Sequence, residues 1–237
     1  MGASDIPGID HMKSLLLMLA AAAPCALFSA TARADIVYNN PVLDNDQFNC
    51  VFNTTCGPTQ AGITSDFAAQ LFTIGEQSTI NTGAFTELLT GGGLPTSVNW
   101  MFLANDGAGG LPGTVLSSGS SPVVTQQSLG PDAGSLGVYE QLSFNVSSLS
   151  LAPGSYYFAI QAVTTNFSNF LTQGTDAAGA AETPDGGTTW TASYEGLPSV
   201  AVELSGTVPE PGSLAVIGVA LAGLGVIRRR RERKVSE

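Results

Sequence analysis

Gly154-Ser155-Tyr156-Tyr157-Phe158-Ala159-Ile160-Gln161-Ala162-Val163 is the stretch that decides the fold. Tyr156, Phe158 and Ile160 alternate with Tyr157, Ala159 and Gln161, which is the two-residue period of a β-strand. Leu151-Ala152-Pro153-Gly154 leads into it, and Pro-Gly suits a tight type II turn. The same texture continues outward. Val138–Val146 places Leu142, Phe144 and Val146 on one face, and Ser97–Leu103 begins with polar and apolar residues in alternation. Phe67–Ile74, Ser78–Leu88, Thr114–Ser118, Val123–Ser128, Thr188–Tyr194 and Val200–Leu204 read as further strands. Gly, Pro and Asn clusters separate them at roughly ten-residue spacing. No stretch of this region combines a clean helical period with helix caps. The reading predicts an all-β fold, an antiparallel β-sandwich of jelly-roll-like type. Segments 104–113, 129–137 and 164–187 are its long loops, where a binding function would sit.

The charge pattern sets what chemistry is open to this domain. The chain has 237 residues, 8 Lys+Arg against 19 Asp+Glu, and a formal net charge of −11. Lys13 and Arg33 lie near the start, and the other six bases lie between Arg228 and Lys234. From Asp35 to Ile227 there is no Lys, Arg or His, while every acid except Asp5, Asp10, Glu232 and Glu237 falls in that stretch. Nucleic-acid binding needs cations to neutralise phosphates, and this body has none. A Ser-His-Asp or Cys-His system lacks its base, and zinc, copper or non-haem iron sites lack imidazole. Carboxylates, hydroxyls, amides and any hard cation they recruit remain.

Both ends read as addresses. Met12-Lys13-Ser14 followed by the apolar run from Leu15, ending at Ala32-Arg33-Ala34, has the three parts of a secretory signal peptide. Residues 1–34 form this region, with cleavage expected after Ala34. Residues 1–11 are acidic and fit no signal-peptide start, so translation is expected to begin at Met12. At the other end, Val208-Pro209-Glu210-Pro211 precedes an apolar helix over 212–227 and the cations Arg228, Arg229, Arg230 and Arg231. An apolar run followed by cations is a stop-transfer pattern that leaves the cations in the cytoplasm. The run is at the short limit for a spanning helix, which fits transient insertion better than a permanent anchor.

This ending resembles the PEP-CTERM sorting signal of Gram-negative bacteria. The resemblance covers residues 208–237. It implies an exosortase, a membrane-embedded transpeptidase-like enzyme, as partner beside the general secretion machinery. It also implies passage through the inner membrane, then location at the cell surface or in an extracellular matrix, in bacteria that make extracellular polysaccharide. Between the addresses, residues 35–207 are long enough for one domain with its own core. Its stretch Asn105-Asp106-Gly107 to Gly113-Thr114, followed by Leu149, Leu151-Ala152-Pro153-Gly154 and Tyr156-Tyr157, resembles the choice-of-anchor β-sandwich modules over roughly 95–163. That likeness implies a jelly-roll-like extracellular module.

Within the body, Cys50 and Cys56 are an even pair in an exported chain, which points to a disulfide. Asp44, Asp46 and Asp106 lie in oxygen-rich loop segments that suit either Asx turns or a calcium ion; no other cofactor is expected. Trp190, beside the long 164–187 loop, and Tyr194 are the candidates for an exposed sugar-stacking surface, whereas Trp100 reads as core. Glu140, Asp176, Glu182, Asp185 and Glu195 are carboxylates that a hydrolase would have to pair, and nothing in the sequence pairs them. The expectation is a non-catalytic, exported, exosortase-sorted protein, structural or adhesive in association with extracellular polysaccharide. A carbohydrate-binding module, calcium-dependent or not, is the alternative, and a carboxylate hydrolase is the third reading.

Overall fold

A computed structural model describes residues 35–43, 48–49, 66–91, 93–163, 169–192 and 197–208. All of them belong to one unit, Arg33–Val208. Its strands are β1 (Asp35–Asn40), β2 (Phe48–Asn49), β3 (Phe67–Ile74), β4 (Ser78–Leu89), β5 (Ser97–Ala104), β6 (Val115–Pro131), β7 (Val138–Leu151), β8 (Gly154–Val163), β9 (Asn169–Thr172), β10 (Ala180–Thr183), β11 (Thr191–Ala192) and β12 (Val202–Thr207). Every ladder between them is antiparallel. The strands run in the order β1-β12-β4-β7-β6-β5-β8-β3-β10-β11, with β9 added beside β4 and β2 beside β9. The all-β antiparallel character is as the alternation predicts.

The two layers expected of a sandwich are the two arms of one curled sheet, because β6 belongs to both. Val115–Pro122 pair with β5, and Val123–Pro131 pair with β7. The sequence reads as two short strands here because Gly119 and Pro122 interrupt the alternation. Each has a different local role. A Cβ on Gly119 would lie 2.7 Å from Cζ2 of Trp100, so only glycine lets the ring lie flat beneath the strand. Pro122 is the last residue paired with β5, where the strand changes partner and its missing N–H costs little.

The arms close on an aromatic core. Phe144 of one arm stacks on Phe158 of the other, with centroids 6.2 Å apart and planes at 19°. Phe102 lies 4.9 Å from Phe158 and tilted against it. A Cβ on Gly83 would meet Phe158 at 2.8 Å, so β4 passes close over the ring. Burying a ring such as Phe158, which has no exposed surface, stabilises by about 1.5–3 kcal/mol. The alternation in β8 sorts its side chains as expected. Phe158 and Ile160 enter this main core. Tyr157 and Ala159 enter a second cluster on the other face, with Ala69, Met101, Leu103 and Ala181. β8 is therefore covered on both sides.

The segment read as a loop over 164–187 carries β9 and β10. Ala180-Ala181-Glu182-Thr183 has no strong strand signature, and pairing with Phe67–Gln70 of β3 holds it extended. Conversely, of the expected strand Thr188–Tyr194 only Thr191–Ala192 is a described strand, because the backbone N–H groups of Thr188 and Thr189 turn back to Asp185.

Candidate functional site

The turn from β10 to β11 is Thr183-Pro184-Asp185-Gly186-Gly187-Thr188-Thr189-Trp190. Asp185 is its hub. Its carboxylate accepts the Thr183 hydroxyl at 2.6 Å, the N–H groups of Thr188 at 3.0 Å and Thr189 at 2.8 Å, and the Thr189 hydroxyl at 2.7 Å. These donors, the Thr183 hydroxyl first, hold the carboxyl down at about 2. The hub delivers Trp190 onto the second cluster, where the indole packs with Leu71 and Leu111 against Met101 and its neighbours. Trp190, the candidate stacking ring, is thus half-buried, because its indole covers part of the second cluster. Its Nε1 is buried and has no hydrogen-bond partner.

The other aromatics follow the same rule. Trp100, Tyr139 and Tyr157 are buried. Tyr157 donates its hydroxyl to the Gly110 carbonyl at 2.7 Å, tying down the loop after β5. Tyr156 is half-buried, lies 5.9 Å from Phe72 and donates to the Ala152 carbonyl at 3.0 Å. These side chains serve the packing and do not share an open platform.

Asp106 works as a turn residue. Its Oδ1 accepts the Thr114 N–H at 2.7 Å and its Oδ2 the Thr114 hydroxyl at 2.8 Å. These bonds hold its carboxyl below the ordinary carboxylate range. Among the described residues no three His, Cys, Asp or Glu side chains gather closely enough to hold a metal. Asp44, Asp46, Cys50, Cys56, Tyr194 and Glu195 lie outside the described residues.

The carboxylates are placed in an unusual way. Asp66, Glu87, Asp132, Glu140 and Glu182 are buried, in a stretch of sequence that contains no cation to pair with them. Buried acids are rare without such a partner. Glu140 stands opposite Glu87 in the β4–β7 ladder, which sets two carboxylates on facing positions. Glu87 was invisible in sequence because nothing there fixes the register of β4 against β7. Glu140 accepts the Gln126 amide at 3.2 Å. Both acids are buried and Glu87 has no exposed surface, so the pair lines no open cleft. Glu182 faces a small cavity whose other lining residues are Ala68, Leu171, Ala180, Ala181, Leu197 and Val200; it is the only acid there. Asp132 spends one oxygen on the Gly137 N–H at 2.8 Å, closing the β6–β7 turn, and its other oxygen is buried without a partner. Asp66 has Oδ1 buried without a partner, and burial raises its carboxyl to about 6. Asp176 accepts the Tyr38 hydroxyl at 2.5 Å.

The body is an all-β module whose two ends leave side by side. Asp35 pairs with Gly206, and β12 runs to Thr207. There the chain carries the PEP-CTERM protein-sorting motif, whose family matches residues 207–231. The motif implies export and processing by an exosortase at the cell surface. Of the sorting residues, Val208 is described, while Pro209, Glu210, Pro211 and Arg228–Arg231 lie outside the described residues, as do the signal-peptide region 1–34 and the apolar segment 212–227. No curated protein and no solved structure gives a significant match to the chain.

Proposed function

We propose that the exported body is a non-catalytic module of the cell surface or extracellular matrix, structural or adhesive in association with extracellular polysaccharide. We read its curled sheet as the sandwich-like fold of jelly-roll type used by interchangeable surface modules. One observation carries the reading. The side chains with reactive potential are absorbed by the fold: Asp185 and Asp106 organise turns, Glu87 and Glu140 are buried, and Trp190 covers Met101. The sorting motif supports an exported location. The cation-free sequence from Asp35 to Ile227 favours neutral or cationic polymers over anionic ones, which it repels.

The test is to incubate the purified exported protein with polysaccharide from the producing cells. The protein should co-sediment with the polymer and release no new reducing ends. Steady release that disappears in Glu140→Gln would establish a hydrolase instead. Absence of both co-sedimentation and turnover, with and without calcium, would remove the polysaccharide from the proposal.

A further inference from the structure

The curled sheet has two long sides, and among the described residues the side away from β6 carries a single backbone bridge, Val42 to Gly174, in place of a ladder. There β1 comes near β3, with the Tyr38 ring against Phe72, and the gap is closed by a strap, Gln173–Ala180, fastened by that bridge and by side chains. Asn40, which is 1% exposed, donates to the Val200 carbonyl at 2.8 Å and accepts the Asp176 N–H at 2.8 Å and the Thr175 hydroxyl at 3.3 Å. Gln70, fully buried, accepts the Val200 N–H at 2.8 Å and lies 3.4 Å from the Ala178 carbonyl. Ser199 donates to the Gly174 carbonyl at 2.9 Å. Backbone bonds add Leu43 N–H to Gln173, Thr175 N–H to Pro41, Leu71 N–H to Gly179 and Ala180 N–H to Pro198. Tyr38 reaches across the seam, bonded to Asp176 and 3.5 Å from the Leu71 carbonyl, with its ring 5.7 Å from Phe72.

Such bonds are individually modest, and elements joined by few of them open before the whole molecule does. We propose that this seam is a latch: Tyr38, Asn40 and Gln70 hold β1 and the strap as one unit that opens while the arms joined through β6 stay folded. Opening breaks the β1–β12 ladder from Asp35–Gly206 to Asn40–Val202 and so uncovers the edge of β12, the strand that runs into the sorting motif.

Hydrogen exchange followed by mass spectrometry on the full chain tests this. Peptides covering β1 and residues 173–180 should exchange together, at least about tenfold faster than those of β5, β7 and β8. Tyr38→Phe keeps the ring packing and removes one bond, so it should accelerate exchange of β1 and the strap by about fivefold and leave β5, β7 and β8 unchanged. Ser121→Ala, on the β6 side, should leave the strap unaffected. Equal rates for the strap and β7, or a Tyr38→Phe effect that is absent or spread over the whole body, would overturn the latch.

Discussion

The two long sides of the curled sheet are closed by different means. On one side β6 passes from one arm to the other as a single strand, with Trp100 beneath Gly119 and its indole N–H bonded to Ser121 at 3.1 Å. Continuity of the chain does the closing there, and the side chains fill space and add a single hydrogen bond, Trp100 to Ser121. On the other side no strand among the described residues crosses, and one backbone bridge and buried amides join β1, the strap and β3. A covalently continuous side tolerates the loss of a hydrogen bond, whereas a side closed by buried polar groups does not. Removing one partner there strands the others away from water. The described residues contain no cation, so no ion pair among them closes either side.

The largest effect tests the packed side. Trp100→Ala deletes a side chain that is 2% exposed and should cost about 3–5 kcal/mol in urea unfolding. A much smaller loss would mean that the β6 side is not packed as described. Next comes Asp66, whose burial raises its carboxyl to about 6. An acid raised in the folded state binds protons more tightly there than when unfolded. Its effect on stability is therefore to make the protein more stable as pH falls from about 6 to about 4, and less so above. Asp66→Asn should raise the melting temperature at pH 8, change it little at pH 4, and flatten the profile between. A drop at pH 8 would show that the charged form has a partner. The smallest effect belongs to the Asp185 turn. Its carboxyl is held at about 2, the opposite sign, so its contribution is present above about pH 4 and is lost as pH falls through about 2. Asp185→Asn should lower the melting temperature at pH 7, with the deficit shrinking as pH approaches 2. A deficit that persists at pH 2 would mean that the carboxylate's charge is not what organises the turn.

Much of this architecture is legible in the chain. The apolar run Phe67–Ile74 and the alternation of Gly154–Val163 place β3 and β8 with their observed limits, because strongly apolar strands carry their own signal. β6 is misread as two strands because Gly119 and Pro122 speak locally of interruption, and only the position of Trp100 and the change of partner strand explain them. β10 is missed because Ala180–Thr183 is extended through its pairing with β3 and β11 and not through a signature of its own. The candidate site is less legible still. Asp185 reads as one of several unpaired carboxylates and Trp190 as an exposed ring, while nothing in the sequence singles out Asn40 or Gln70, whose roles are set by a residue as distant as Val200. Gln70 offers one clue, a lone amide inside an apolar strand, Phe67-Ala68-Ala69-Gln70-Leu71-Phe72. The ends of the chain are the reverse case. There the Pro-Glu-Pro motif and its neighbours are legible from residue order alone, as the family match at 207–231 shows.

The contrast between the two sides can be put to one paired measurement, equilibrium urea unfolding of Asn40→Ala and Ser121→Ala. Asn40→Ala leaves the Val200 carbonyl and the Asp176 N–H without their partner and should cost about 3 kcal/mol. Ser121→Ala removes a single bond to the Trp100 indole and should cost about 1 kcal/mol or less. Equal losses, or a larger loss for Ser121→Ala, would contradict a fold closed by a strand on one side and by buried amides on the other.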